Sequence, residues 1–411
     1  MAEHLLDTAR YVMRESKVET FEEFISSDAL LRKVGRKFET WSYGYPVKKM
    51  PARSPREIRH AIFVRSRNAG QLSPRRPACR FALRRGAKGP RPPPYVMDPS
   101  SEIEYDMPGF LRVHKSGLVE RLAGTNTVPP SPSGDPTNGV ASKDVLLDTA
   151  ANISVRLYLP AAATLEPGKK LPMVVFFHGG AFFTHSTASP IYHRYAAAVP
   201  AIVVSVEYRL APEHPLPAAY DDAFAALEAV VTACRPDGAE PWLATHGDAS
   251  RVVLAGDSVG ANIAHNTAIR LRKERIEGYG DKVSGIALMH SYFWGTELVG
   301  GEVAQRGNME RTLDLASSGR FGPRHPCINP AASPEDWRQI GCGRVLVTTA
   351  ERCLFVERSR AYADGIKACG WDGELEFYEA KGEVHTYFLF KPDCENALKE
   401  LAVVADFVRR S

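Results

Sequence analysis

Short apolar runs alternate with longer stretches of helical spacing along this chain, and the alternation sets in only after about residue 97. Met173 to Phe177 (MVVFF), Ile202 to Val206 (IVVSV) and Val252 to Ala255 (VVLA) are short and mostly apolar, as strands buried on both faces of a parallel sheet should be. Val145 to Leu147 and Ile153 to Leu159 (ISVRLYL) alternate instead like a hairpin at a sheet edge. Val283 to Met289, Val345 to Thr349 and Leu375 to Tyr378 supply further strands. Pro217 to Ala233 has apolar residues at helical spacing with acids in its first turns, and Ala261 to Lys273 and a closing stretch from Cys394 to Val408 also read as helices. This order predicts an α/β fold with a mainly parallel central sheet and helices on both faces.

The first 96 residues have a different texture. Residues 51–96 are rich in Arg and Pro and poor in large apolar side chains, so they cannot bury enough surface to offset their ordering entropy. They are expected to be disordered. Residues 1–50 carry loosely periodic Phe21, Phe24, Leu30, Leu31 and Val34, enough for one or two short helices. The chain is therefore divided into an N-terminal extension, 1–96, and a folded domain, 97–411, with Met97 reading as a second, natural start.

Charge sharpens this division. The net +4 hides 21 basic against 9 acidic residues in the extension, so the rest of the chain is acidic. Nucleic-acid binding could come only through residues 51–96, and a solvated tail is the favoured reading. The first 30 residues lack an apolar signal core, and no run of about 18 apolar residues occurs, so neither secretion nor a membrane partner is expected. The seven cysteines are scattered without metal-ligand spacing, which argues against a disulfide framework or a zinc site and fits a reducing cytoplasm. No internal repeat is present, and no particular oligomeric state is indicated.

The strongest chemical signal is Gly256-Asp257-Ser258-Val259-Gly260, between a buried strand and a helix. A serine hydroxyl becomes a useful nucleophile when a sharp strand-to-helix turn exposes it beside a base, and flanking glycines relieve the crowding of that turn. The G-x-S-x-G string is common by itself; its strand and helix give it weight. Upstream, His178-Gly179-Gly180-Ala181 follows MVVFF directly. Backbone N–H groups of Gly179, Gly180 and Val259 are expected to hold the oxyanion of an acyl-transfer transition state. The base should come last in the chain, and of twelve histidines His385 has the right context, a Gly-containing loop after a strand. His178 and His265 read as structural, and His290 has no matching context.

On these and further strings the chain resembles the plant carboxylesterases, near the hormone-sensitive-lipase-like branch of the α/β-hydrolases. The matching text includes VSVEYRLAPEHPLPAAYDDAF (204–224), GDSVGANIAH (256–265), YFWG (292–295), INPAA (328–332) and GWDGELEFYEAKGEVH (370–385). It covers most of 97–411 and none of 1–96. The resemblance implies an α/β-hydrolase fold with a small helical cap, formed partly by the segment after Met97, an esterase activity on small to medium acyl esters, and no cofactor or metal. It also implies relatives that became gibberellin receptors, dehydratases or tuliposide-converting, lactone-forming enzymes. The receptors lose the base, which this chain keeps as His385.

One position departs from the pattern. The family places an Asp after the strand equivalent to Val345–Thr349, whereas this chain reads Ala350-Glu351-Arg352-Cys353. That Asp fixes the histidine tautomer, and its loss from serine proteases costs about four orders of magnitude. A neutral thiol is a poor substitute, and Glu351 or Glu357 could reach His385 in its place. Ser291 replaces the Pro usual before YFWG, and the segment from Tyr195 to Ile202 looks short for its helix. The reading is thus a carboxylic ester hydrolase with Ser258 as nucleophile and His385 as base. Its alternatives are a small-molecule-binding protein on the same scaffold, or an acyl-transfer, lactone-forming or dehydratase enzyme.

Overall fold

A computed structural model describes residues 102–107, 109–161 and 168–411 of the chain. The extension, with its expected short helices and disordered basic run, lies outside the described residues. Contacts divide the chain into two units. Of the first, 1–104 and 114–117, the described residues include Lys115 and Glu102, whose side chains pair at 2.9 Å. The second, 105–113 and 118–411, carries the α/β architecture.

Three short strands, β1 (Ile103–Met107), β2 (Leu111–His114) and β3 (Val119–Arg121), form a small sheet. The main sheet is built from β4 (Ala141–Asp148), β5 (Ile153–Leu159), β6 (Leu171–Phe177), β7 (Ile202–Val206), β8 (Gly247–Asp257), β9 (Val283–Met289), β10 (Cys342–Ala350) and β11 (Glu374–Ala380). Their spatial order is β11-β10-β9-β8-β6-β7-β5-β4. The six strands from β7 to β11 are mutually parallel, while β4 and β5 form the antiparallel edge their alternation predicts. β6 and β7 lie inside the sheet and are almost wholly buried, which is why their sequences are apolar throughout.

Helices cover both faces. On one, α1 (Pro190–Ala198) and the closing helix α9 (Glu395–Arg409) pack against the sheet; Phe407 sits against Gly285 of β9. On the other lie α2 (Ala218–Ala233) and α4 (Val259–Glu274), joined by Tyr220 Oη donating to Asn262 Oδ1 at 2.8 Å. Short α3 (Pro241–His246) leads into β8. α5 (Glu302–Ser317) and α6 (Pro334–Arg338) lie between β9 and β10, α7 (Val356–Ala368) follows β10, and α8 (Tyr387–Phe390) follows β11.

α5 is mostly polar and did not stand out in the sequence. It meets the segment after Met97, where Tyr105 Oη and Thr312 Oγ1 lie 2.9 Å apart, in the region expected to form a cap. Its other end is anchored by buried Glu302, an ion-pair partner of Arg358 at 2.8 Å. Among the described residues no helix is long and apolar enough to cross a membrane.

The short segment after Tyr195 has a visible consequence. α1 ends at Ala198, and Ile202 already begins β7. A void lined by Tyr158, Phe176, Ala196, Ser205, Val404 and neighbouring apolar side chains is left between α1, α9 and the sheet. Ser205 Oγ lines it without a hydrogen-bond partner.

Candidate active site

Four parallel strands deliver the site at their carboxyl ends, the usual location for ligand and catalytic groups in open α/β sheets. β6 ends in His178-Gly179-Gly180, β8 in Asp257-Ser258, β10 runs on to Cys353, and β11 leads to His385. Ser258 occupies the sharp turn between β8 and α4, with φ of 55° and ψ of −119°, a region non-glycine residues rarely adopt. Its N–H donates to Met289 O at 2.9 Å, tying the turn to β9. The flanking glycines are required by packing: a Cβ on Gly260 would overlap the Phe177 carbonyl oxygen, and one on Gly256 would strike the Gly260 carbonyl. The α4 helix can start this close to β6 only because those side chains are absent.

Ser258 Oγ lies 3.0 Å from His385 Nε2, and His385 Nδ1 lies 3.1 Å from Cys353 Sγ. Residues 258, 353 and 385, far apart in sequence, thus form one continuous line of hydrogen-bonding atoms. Glu351 is not the partner of the base. It is exposed, and its Oε2 accepts from Gly382 N–H at 2.8 Å. Glu357 is turned to Arg360, 2.8 Å away. Both face the surface because they flank the buried turn that carries Cys353 inward.

The oxyanion loop also needs one correction. Gly179 N–H is already committed, to Asp257 Oδ1 and to Tyr192 Oη at 3.0 Å each, so it is not a free donor. Gly180 and Val259 carry no backbone N–H bond of this kind among the described residues. Gly179 is instead a spacer: a Cβ there would overlap the Asp257 carboxylate. Asp257, the variable residue of G-x-S-x-G, therefore has a structural part that the motif does not announce. Burial pushes its carboxyl up to about 6, against the opposing pull of the Gly179 N–H and the charge of His385.

A match to a family described as α/β-hydrolase fold spans residues 174–389, which include all of these groups. A probable carboxylesterase of Arabidopsis thaliana, carboxylesterase 7, is 39% identical over 319 residues, covering 75% of this chain and 99% of that protein. Tuliposide A-converting enzyme 1, chloroplastic, of Tulipa gesneriana is 41% identical over 306 residues, or 72% of this chain and 75% of that one. Among solved structures, the Pyrobaculum calidifontis esterase superposes with a TM-score of 0.51 at 28% identity, covering 66% of this chain and 84% of that one. The chain belongs to the α/β-hydrolases, as a plant carboxylesterase.

In this carboxylesterase the histidines divide as their surroundings dictate. His178 is fully buried and stacked on Tyr208, and burial pushes it down to about 4, so it is a neutral wall of the oxyanion loop. His265 is likewise pushed down to about 4 by burial, with Nδ1 3.1 Å from Tyr362 Oη. Both match their structural reading. His290 does not match its dismissal. It follows β9 directly, lies beside Cys353, and its Nδ1 accepts from Thr386 N–H at 3.0 Å. Its Nε2 lies 3.3 Å from Glu400 Oε1, and both side chains are wholly buried.

Glu400 in turn accepts from Thr348 Oγ1 at 2.6 Å and Tyr387 Oη at 2.7 Å. A sequence signal for it existed: Ala397, Glu400, Val404 and Phe407 share the buried face of α9, and an acid on such a face requires partners. His290, Cys353 and His385 bring three possible metal-ligand atoms within 4.8 Å of one another. Cys353 Sγ and His385 Nδ1 are already bonded to each other, so an ion there would have to break that bond.

Proposed function

We propose that this carboxylesterase hydrolyses small to medium acyl esters through a covalent acyl-enzyme on Ser258. The observation that carries the reading is the 3.0 Å contact between Ser258 Oγ and His385 Nε2 at a strained strand-to-helix turn. Ser258 Oγ attacks the ester carbonyl while its proton passes to His385 Nε2. The tetrahedral oxyanion is held by the N–H groups of Gly180 and Val259, each donor worth about 3 kcal/mol in comparable sites. Collapse expels the alcohol, which takes the proton from His385. Water, deprotonated by the same nitrogen, then releases the acid and restores Ser258. None of these steps calls on a cofactor.

A fluorophosphonate probe and a p-nitrophenyl acyl ester test this. Labelling and turnover should both disappear in Ser258→Ala, with kcat falling by about 10⁶-fold, as in other serine hydrolases. A wild-type chain that neither labels nor turns over ester would favour a ligand-binding protein instead, the reading that Cys353 at the acid position motivates. The tulip relative favours a second chemistry at the same serine, transfer of the acyl group to an internal hydroxyl. Product analysis separates it, because hydrolysis releases free acid and internal transfer releases a lactone. The six cysteines among the described residues are all unpaired, which fits a reducing compartment such as the cytoplasm.

A further inference from the structure

We propose that Cys353 fills the missing acid's role as a thiolate, and that His290 is a positioning residue beside it. This rests on the hydrolase reading above and adds the source of the negative charge behind the base.

Hydrogen-bond donors surround the sulfur. His385 Nδ1 approaches to 3.1 Å and Phe355 N–H donates at 3.4 Å, while a His290 ring nitrogen completes a cluster within 4.8 Å. Cys353 also stands just ahead of α7, whose thirteen residues present their positive end towards it. Helix N-termini and neighbouring imidazoles are the two settings that make cysteines ionise most readily. Burial opposes ionisation here, but His385 and His290 outweigh it and hold the thiol down at about 6. The carboxyl groups of Glu400 on α9 and Asp257 on β8 face the same cluster and work against a second anion, and Tyr387 is turned away to Glu400.

The tautomers support the same state. Burial opposes charge on His290, but Glu400 and Cys353 outweigh it and push its pKa up to about 10. Thr386 N–H acts the other way, because it donates to Nδ1 and so requires a lone pair there. That bond places the proton of His290 on Nε2, which faces Glu400 Oε1 at 3.3 Å. It also fastens the backbone next to the base, since Thr386 holds φ of 47° one residue after His385.

For His385 the direction of its bond to the sulfur matters. A thiol donating S–H to Nδ1 would force the proton onto Nε2, and that nitrogen could not accept from Ser258. A thiolate accepts Nδ1–H, leaves Nε2 free as the base, and balances the imidazolium formed when the serine proton arrives. One negative charge is thereby neutralised in the transition state, as with the usual carboxylate. No atom is oxidised or transferred beyond that proton.

The test is the thiolate absorbance near 240 nm across pH, read as wild type minus Cys353→Ser so that the other cysteines cancel. The Cys353 signal should persist down to pH of about 6. His290→Phe, which removes the polar ring beside the sulfur, should raise its midpoint by about one pH unit or more. In ester turnover Cys353→Ser should lose about a hundredfold or more in kcat, and Cys353→Asp should stay within about tenfold of wild type. A midpoint at the ordinary thiol value of about 8.5, or a serine variant with wild-type kcat, overturns the proposal. The absorbance does not depend on turnover. A low midpoint in a chain without esterase activity would sink the hydrolase reading alone, and a normal midpoint in an active esterase would sink the thiolate alone.

Discussion

The two halves of this active site are built on different principles. At the ends of β6 and β8, the proposed nucleophile and oxyanion donors are placed by backbone: a strained turn at Ser258, glycines at 179, 180, 256 and 260, and N–H groups fixed by strand and helix. At the ends of β9, β10 and β11, the proposed base and its surroundings are placed by side chains reaching across the sheet, from His385 to Cys353, His290 and Glu400. Backbone machinery tolerates almost no change, because a single added carbon collides with a carbonyl. Side-chain machinery can be rewired, and here the Cys353 sulfur lies 3.1 Å from His385 Nδ1 with a buried imidazole beside it. The lesson is that a departure from a family pattern on the side-chain half need not disable the site, whereas one on the backbone half would.

Three substitutions sharpen that contrast. The largest effect is expected from Gly260→Ala, whose Cβ would push α4 away from the Phe177 carbonyl and shift Ser258 relative to its base. A displacement of that kind costs about a hundredfold or more in kcat/KM. The comparison would break if an alanine variant with wild-type circular dichroism kept full activity.

On the side-chain half the effect is graded and pH-dependent. The folded-state pKa of Cys353 lies below its ordinary value, so the stability it contributes is fully present above an unfolded-thiol value of about 9 and is lost as pH falls through about 6. The stability difference between wild type and Cys353→Ala should therefore grow as pH rises across that window. Urea unfolding at about pH 6, 7.5 and 9 measures it. A difference that shrinks with rising pH would reverse the sign and remove the thiolate from the account.

The smallest effect belongs to neither half. Ser205→Val replaces an unpartnered hydroxyl in the void beside α1 with a methyl group that fills part of it. A gain of about 1 kcal/mol is expected, raising Tm by a few degrees with esterase turnover unchanged. Loss of stability would mean that the void holds water bonded to Ser205.

Much of the fold was legible because parallel strands buried on two faces leave a nearly unambiguous apolar signature. IVVSV and VSGIALM coincide with β7 and β9, and ISVRLYL with β5 of the antiparallel pair. α5 was not legible, since a polar helix on the outside of the domain owes its form to a few anchors such as Glu302–Arg358 rather than to an apolar stripe. In the site, Ser258 and His385 stood out because each lies in a short string next to a strand end. His290 and Glu400 stood out in no string, for their meaning lies in each other and in Thr386, from which 110 and 96 sequence positions separate His290.

The sequence by itself determined the order of strands and helices, the sharp turn that carries Ser258, and the substitution at position 353. These are local matters, governed by apolar periodicity and by the space a glycine leaves. Only the tertiary structure decided the surroundings of these residues: that Gly179 N–H bonds Asp257, that Glu351 stays outside, and that the Cys353 sulfur lies against His385 Nδ1, the Phe355 N–H and the His290 ring. Whether a thiol can serve as an anion depends on which charges and N–H groups surround it in three dimensions, and no stretch of sequence contains that surrounding.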